Sequence, residues 1–240
     1  MAAFFKDSEY YSRKAKYYEE LCKSYDKNFF EAMANAADSA HRRELSKGGG
    51  TIHRGYYCPS PIKDRVIGGC KRGRLVSRLP SKADAVYEYF FNESNEMTLV
   101  NKYAVEQGQM YYTQGELIEK KCSATQSVIL EDMLHMPYIS GISECSYDNG
   151  SISLYEYATI IGQADCPICA FINSEKYLYD GKRLVTCFMD TYVKATGILE
   201  SQRYDLIYNG DTPVRYTVRE CFDGEYRAAD PEQVYELLKR

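Results

Sequence analysis

The chain has 240 residues, 45% hydrophobic and 27% charged, with a formal net charge of −4; that is enough for one large all-β or α+β domain, or two small ones, with a sizeable core. It has no apolar run of about 18 residues, and Lys6, Asp7 and Glu9 stand near its start, which argues against a membrane span or export signal. Nine cysteines without framework-like spacing read as reduced thiols, so a cytoplasmic protein is expected.

Charge and aromatic content are unevenly spread. Between His41 and Lys82 eleven cations face only Glu44 and Asp64, a net +9 that leaves −13 on the remainder. There are 24 tyrosines and no tryptophan. Tyrosine favours pleated, half-buried surfaces, where its ring packs and its hydroxyl stays wet, so a tyrosine-rich sheet with one wet face follows.

Residues 8 to about 45 lack Gly and Pro. Tyr11, Tyr18, Cys22, Tyr25, Phe29, Met33, Ala36 and Ala40 recur at helical spacing, which predicts a helical segment over 1–47, broken near Ser24 to Asn28 and ended by Gly48-Gly49-Gly50. Its stripe is read as packing on the sheet or on itself. Residues 48–82 form a basic irregular connector with Arg65, Lys71, Arg72, Arg74 and Arg78 as its patch. Val66 to Arg74 resembles a strand entering a phosphate loop but lacks the Walker spacing, so an ordinary basic loop is favoured.

From 83 to 240 the pattern is that of a tyrosine-rich β domain. Turns are expected at Asn92 to Asn95, Gln114-Gly115, Asp148-Asn149-Gly150, Asp180-Gly181, Asn209-Gly210 and Asp223-Gly224, with returns near Met136-Pro137, Gly162 to Pro167 and Thr196 to Gln202. Asp-Gly and Asn-Gly suit type I′ turns, whose two central residues need positive φ. Leu184, Thr186, Phe188 and Tyr192 alternate with Val185, Cys187, Met189 and Val193. Asp230-Pro231 reads as the cap and first residue of a short C-terminal helix. The fold class expected is α+β, mainly β: a helical segment, a large antiparallel up-and-down meander and a terminal helix.

Tyr177-Leu178-Tyr179-Asp180-Gly181-Lys182-Arg183-Leu184 and Tyr147-Asp148-Asn149-Gly150-Ser151-Ile152 resemble the tyrosine-aspartate (YD) repeats of Rhs-type bacterial toxin proteins. The resemblance covers about residues 83 to 226. It implies a scaffold of β-hairpins and a setting among bacterial toxin and immunity loci, and it transfers no catalytic residue.

Cys166-Pro167-Ile168-Cys169 has the spacing of half a zinc site or a redox pair. No second CxxC or close His pair accompanies it, and the motif falls in an expected turn between strands, so ordinary thiols are favoured and no metal or other cofactor is expected. Cys58 or Cys70 with His53 is the thiol–imidazole set on which a small hydrolase or transferase could rest. Asp148, Asp180 and Asp223 read as turn residues, and Glu116, Glu156 and Glu220 as residues of a wet face.

The function expected is therefore non-enzymatic protein binding, in concrete form an immunity protein covering a basic toxin domain. Asp148, Tyr155, Tyr157, Asp190 and Tyr192 illustrate the expected contact surface, because tyrosine offers large contact area with few rotors and carboxylates suit a basic partner. The alternatives are nucleic-acid binding through the 42–82 segment and the Cys/His enzyme.

Overall fold

The structure is a computed structural model describing residues 6–25, 29–48, 73–121, 124–133, 136–162, 165–228 and 234–237. Two helices open the chain, α1 (Ser8–Ser24) and α2 (Phe29–Asp38). The Asp7 carboxylate caps α1 by accepting from the Tyr10 N–H at 2.7 Å, with Glu9 in the first turn and Lys23 in the last, where each charge suits the helix dipole.

The strands are β1 (Arg42–Lys47), β2 (Arg74–Val76), β3 (Ala83–Phe91), β4 (Met97–Glu106), β5 (Gln109–Lys121), β6 (Ala124–Met133), β7 (Met136–Asp148), β8 (Ser151–Ile161), β9 (Ile168–Asp180), β10 (Arg183–Val193), β11 (Ile198–Asn209), β12 (Thr212–Phe222), β13 (Glu225–Ala228) and β14 (Val234–Glu236). All fourteen share one sheet. From β3 to β13 every strand pairs antiparallel with the next, the expected up-and-down meander. β1 lies outside β3 and β2 outside β1, so stretches on both sides of residue 48 join the same sheet.

The turns explain the register. Gln107-Gly108, Asn149-Gly150 and Asp223-Gly224 are two-residue loops with both residues at positive φ, the type I′ geometry that matches strand twist. The Tyr179 hairpin differs by one residue. Asp180 pairs with Arg183, so the loop is Gly181-Lys182, with Gly181 at φ +60° in the first central position. Asn209 pairing with Thr212 repeats this at Gly210.

Three expectations are corrected. Residues 42–47 are a strand and not the end of a helix: this charged stretch is held extended by β3, with the Arg42 guanidinium 3.7 Å from the Phe91 ring centroid and Arg43 5.0 Å from that of Phe90. Gln114-Gly115 lies inside β5 and is no turn; the space a Cβ would take at Gly115 is filled by Met33 Cε of α2 and the Tyr112 hydroxyl, 2.1 and 2.3 Å from that point. Residues 234–236 are extended and not helical, since pairing with β12 through Arg215–Thr217 and stacking of Tyr235 on Tyr216 at 5.2 Å outweigh local helix signals. The cap at Asp230-Pro231 lies outside the described residues.

The helices cover one face. Tyr11, Ala15, Tyr18 and Cys22 of α1, with Phe29 and Met33 of α2, pack on Leu99, Leu117, Val128, Ile142, Ala158, Ile172 and Tyr192 to form the main core. On the opposite face Cys145, Tyr155, Tyr177, Cys187 and Tyr204 close a second cluster with Leu237, and Tyr87, Tyr89, Phe91 and Val100 a third. No described helix is long and apolar enough to cross a membrane.

Candidate functional site

Beneath α1 a polar row runs across the sheet. The registers Glu119↔Gln126, Gln126↔Glu144, Glu144↔Glu156, Glu156↔Ser174, Ser174↔Asp190 and Asp190↔Ser201 place these side chains on one face from β5 to β11. The helix answers it residue by residue. The Tyr11 hydroxyl donates to Asp190 at 2.7 Å, Lys6 to Glu156 at 2.9 Å, Lys14 to Glu144 at 2.5 Å, Tyr17 to Glu144 at 2.9 Å and Tyr25 to Glu119 at 3.3 Å. Seventeen residues of helix span about 25 Å at 1.5 Å per residue. The five steps from β10 to β5 span about 24 Å, so α1 lies across the strands and meets the row along its length.

Electrostatics follow from burial. Burial opposes the charge on Glu156, but Lys14 and Lys6 outweigh it and hold the carboxyl below its usual range. Burial likewise works to discharge Lys14, and Glu156 and Glu144 overcome it and raise its pKa. At Asp190 burial wins: it raises the pKa, and hydrogen bonds from Tyr11 and Ser201 and the charge of Lys6 offset it only in part. Burial also drives the Tyr11 and Tyr18 hydroxyls upward, so they stay protonated donors. The row is thus already occupied by the chain's own helix.

The face without helices is different. Ile161 pairs with Ile168, Phe171 with Val193 and Val193 with Ile198, on the side of the sheet opposite Ile160, Ile172 and Tyr192. The four large side chains are open: Ile161 is 49% exposed, Ile168 46%, Phe171 43% and Ile198 51%. With Val193 of β10 they form an apolar strip four strands wide at one end of β8 to β11. The next positions inward are polar: Ser143, Tyr157, Asn173 and Thr191 are cross-strand partners, and Thr191 donates to Asn173 at 3.1 Å. Tyr157 lies over Gly141, where a Cβ would be 2.5 Å from its hydroxyl oxygen; burial, with Glu116 and Glu131, pushes that hydroxyl up to about 12.

The expected contact residues are divided between these surroundings. Tyr192 is buried under α1, stacked on Tyr11 at 5.7 Å, and Asp190 is buried beside it, so both serve helix docking and not an outer surface. Tyr155 is buried in the helix-free cluster, Tyr157 is half-buried on that face, and Asp148 is exposed at the β7–β8 turn. Glu116 and Glu156 are buried and not wet, because Ser127 satisfies the first, and Lys6, just before α1, and Lys14 of α1 satisfy the second. The exposed strip escaped the sequence reading, since Ile161, Ile168 and Ile198 flank turns and look like ordinary strand ends. The bulge between Thr159 and Ile160, which sets their side relative to Phe171, has no sequence mark.

Cys166 is exposed in the β8–β9 turn, while Cys169 is buried, with its N–H bonded to Glu19 at 2.8 Å. Burial and then Glu19 raise the Cys169 thiol to about 12, the reverse of an activated nucleophile. Among the described residues no group of three or more His, Cys, Asp or Glu is arranged to hold a metal. Arg74 and Arg78 are exposed; Arg65, Lys71, Arg72, Cys58, Cys70 and His53 lie outside the described residues.

No protein-family model matches the chain, and no curated protein matches it. Among solved structures, a protein with unknown function from Bacteroides fragilis aligns over 47% of this chain and 86% of its own, at 8% identity and a TM-score of 0.39.

Proposed function

We propose that the chain is a non-enzymatic protein-binding module that uses its helix-free face. One observation carries this reading: Ile161, Ile168, Phe171 and Ile198, each more than two-fifths exposed, lie on β8, β9 and β11 and are joined across β10 by Val193. Water-exposed apolar area of this kind is costly to leave open, and a contiguous patch bordered by polar groups is the usual sign of an interaction surface. On the helix-facing side α1 packs over the sheet and satisfies the carboxylates of the polar row. The concrete form of the reading is an immunity protein that covers a toxin domain from the same locus, a cytoplasmic role in keeping with the YD-like hairpins.

The test is a pull-down from native lysate with the natural chain and with the Phe171→Glu/Ile198→Glu variant. A stoichiometric protein, retained after nuclease treatment and absent from the variant eluate, is expected. Nucleic acid recovered instead, and lost in Arg74→Glu/Arg78→Glu, would overturn the reading and move function to the basic segment.

A further inference from the structure

From the charges around the strip we infer the chemistry of its partner: a protein surface with an apolar centre and a cationic border. This rests on the protein-binding reading above. The cross-strand pairs that define the helix-free face also assign its ionisable groups from β5 to β13. Glu116, Glu131, Glu175, Glu200, Glu220 and Glu225 share it, through the pairs Glu116↔Ile129, Gln114↔Glu131, Glu175↔Tyr155, Thr191↔Glu200, Gln202↔Glu220 and Phe222↔Glu225; Glu116 and Glu175 are buried and bonded to Ser127 and Tyr177, and Glu200, Glu220 and Glu225 are exposed. The cations described there are Lys120 and Arg227, and each is already held by a carboxylate, Glu96 and Glu225 respectively. Cations near the same strands point the other way: Lys6 and Lys14 enter the row beneath α1, and Lys194 is spent on Glu19.

Glu200 borders the strip directly, being two positions from Ile198 on the same strand face, and Phe222, 52% exposed, extends the apolar surface toward Glu225. A docked neutral or acidic surface would leave the exposed Glu200 and Glu220 desolvated or facing like charge, whereas lysine or arginine at the border satisfies them and accelerates encounter. The same charge disfavours nucleic acid and anionic lipid on this face.

The probes are three synthetic peptides of equal length: one with a leucine and phenylalanine face bordered by lysine, one with the same apolar face bordered by glutamate, and one with lysine and no apolar residues. Binding is read by backbone amide NMR on the full chain and by titration calorimetry. The lysine-bordered amphipathic peptide is expected to shift amides of β8 to β11 around Phe171 and Ile198. Its affinity should fall at least tenfold in Glu200→Lys/Glu220→Lys, and similarly in Phe171→Ser, and should weaken as salt rises from 0.05 to about 0.5 M, where screening shortens to a few ångströms. Equal binding of the lysine- and glutamate-bordered peptides would sink the cationic border while leaving protein binding in place. Binding of the all-lysine peptide alone would remove the strip from the interface. Shifts elsewhere or none, or co-sedimentation with phosphatidylcholine/phosphatidylglycerol vesicles abolished by Phe171→Ser, would overturn both readings. The substituted positions are exposed or border solvent, and an unchanged amide spectrum away from β8 to β12 shows that each variant is folded.

Discussion

The Lys14 ammonium lies 3.2 Å from the Glu156 carboxylate, which is only 2% exposed and sits directly across the strand pair from Glu144. Two carboxylates side by side, Glu156 buried and Glu144 half-buried, repel, and the lysine between them, with Lys6, makes the arrangement tenable. Removing one member of such a pair costs far more than replacing the pair, because the survivor stays buried without its countercharge. Lys14→Met is therefore expected to destabilise the fold by about 3–5 kcal/mol. Adding Glu156→Gln and Glu144→Gln should recover much of that loss. Urea denaturation of the single and combined variants measures both; an additive combination would show that the carboxylates do not depend on Lys14.

The same pair sets a pH window. Glu156 is held below its ordinary pKa, so its contribution is present above the unfolded value, about 4.3, and is lost as pH falls through the lower folded value. Lys14 is raised, so its contribution is present below about 10.4 and lost as pH rises through the higher folded value. The contribution of this pair to the thermal midpoint should be flat between those limits and fall outside them. In the Lys14→Met variant the acid limb should move to higher pH, since burial then acts on Glu156 with less opposition.

Asp190 carries the opposite sign. Its folded pKa is raised mainly by burial, so its stabilising form is the protonated one, complete below the unfolded value of about 3.9 and lost as pH rises through the folded value. At neutral pH the charge is a cost, offset in part by the Tyr11 and Ser201 hydroxyls. Asp190→Asn keeps an acceptor for Tyr11 and is expected to leave the midpoint at pH 7 unchanged or higher. Tyr11→Phe, which leaves the buried Asp190 short of its 2.7 Å donor, should cost about 1–3 kcal/mol.

How much of this was legible in the sequence differs by feature. The hairpin at Tyr147 and the alternation of Cys187 and Met189 against Phe188 and Tyr192 were readable, because a period of two and positive-φ turn residues are local signals. The tyrosine stripe of α1 was visible as a helical face, but its meaning was not. Tyr11, Tyr18 and Tyr25 read as packing residues, and only the sheet shows that their hydroxyls end on Asp190, Glu144 and Glu119, more than 90 residues away. β1 and β14 were misread for the same reason. Arg42 to Lys47 carries no strand pattern of its own, and its conformation comes from Phe90 and Phe91, which lie far along the chain. Gly115 looked like punctuation beside Gln114, whereas it marks a close approach of α2.

Thiol chemistry should separate the two members of the CxxC motif. Cys166 is exposed, while Cys169 is fully buried and its thiol raised to about 12, so iodoacetamide at pH 8 is expected to modify Cys166 and spare Cys169. Peptide mass mapping reads the result. Equal labelling would mean that the β9 terminus opens and that Glu19 does not hold the Cys169 N–H in solution.

Gly141 tests the packing of the helix-free face. A Cβ at this position would meet the Tyr157 ring, with the hydroxyl oxygen at 2.5 Å and two ring carbons at 2.9 and 3.0 Å. The ring cannot simply fold back, because Glu116, Ser127 and Ser143 fill the neighbouring positions and are themselves bonded. Overpacking of this kind costs about 1–3 kcal/mol. Gly141→Ala is therefore expected to destabilise the chain by that amount and to expose Tyr157, whereas Gly141→Ala in a Tyr157→Val background should cost much less, since the clashing ring is gone. A double-mutant cycle measured by urea denaturation isolates the coupling. Equal costs in both backgrounds would show that Gly141 is needed for backbone freedom in β7, and that the tyrosine is incidental to it.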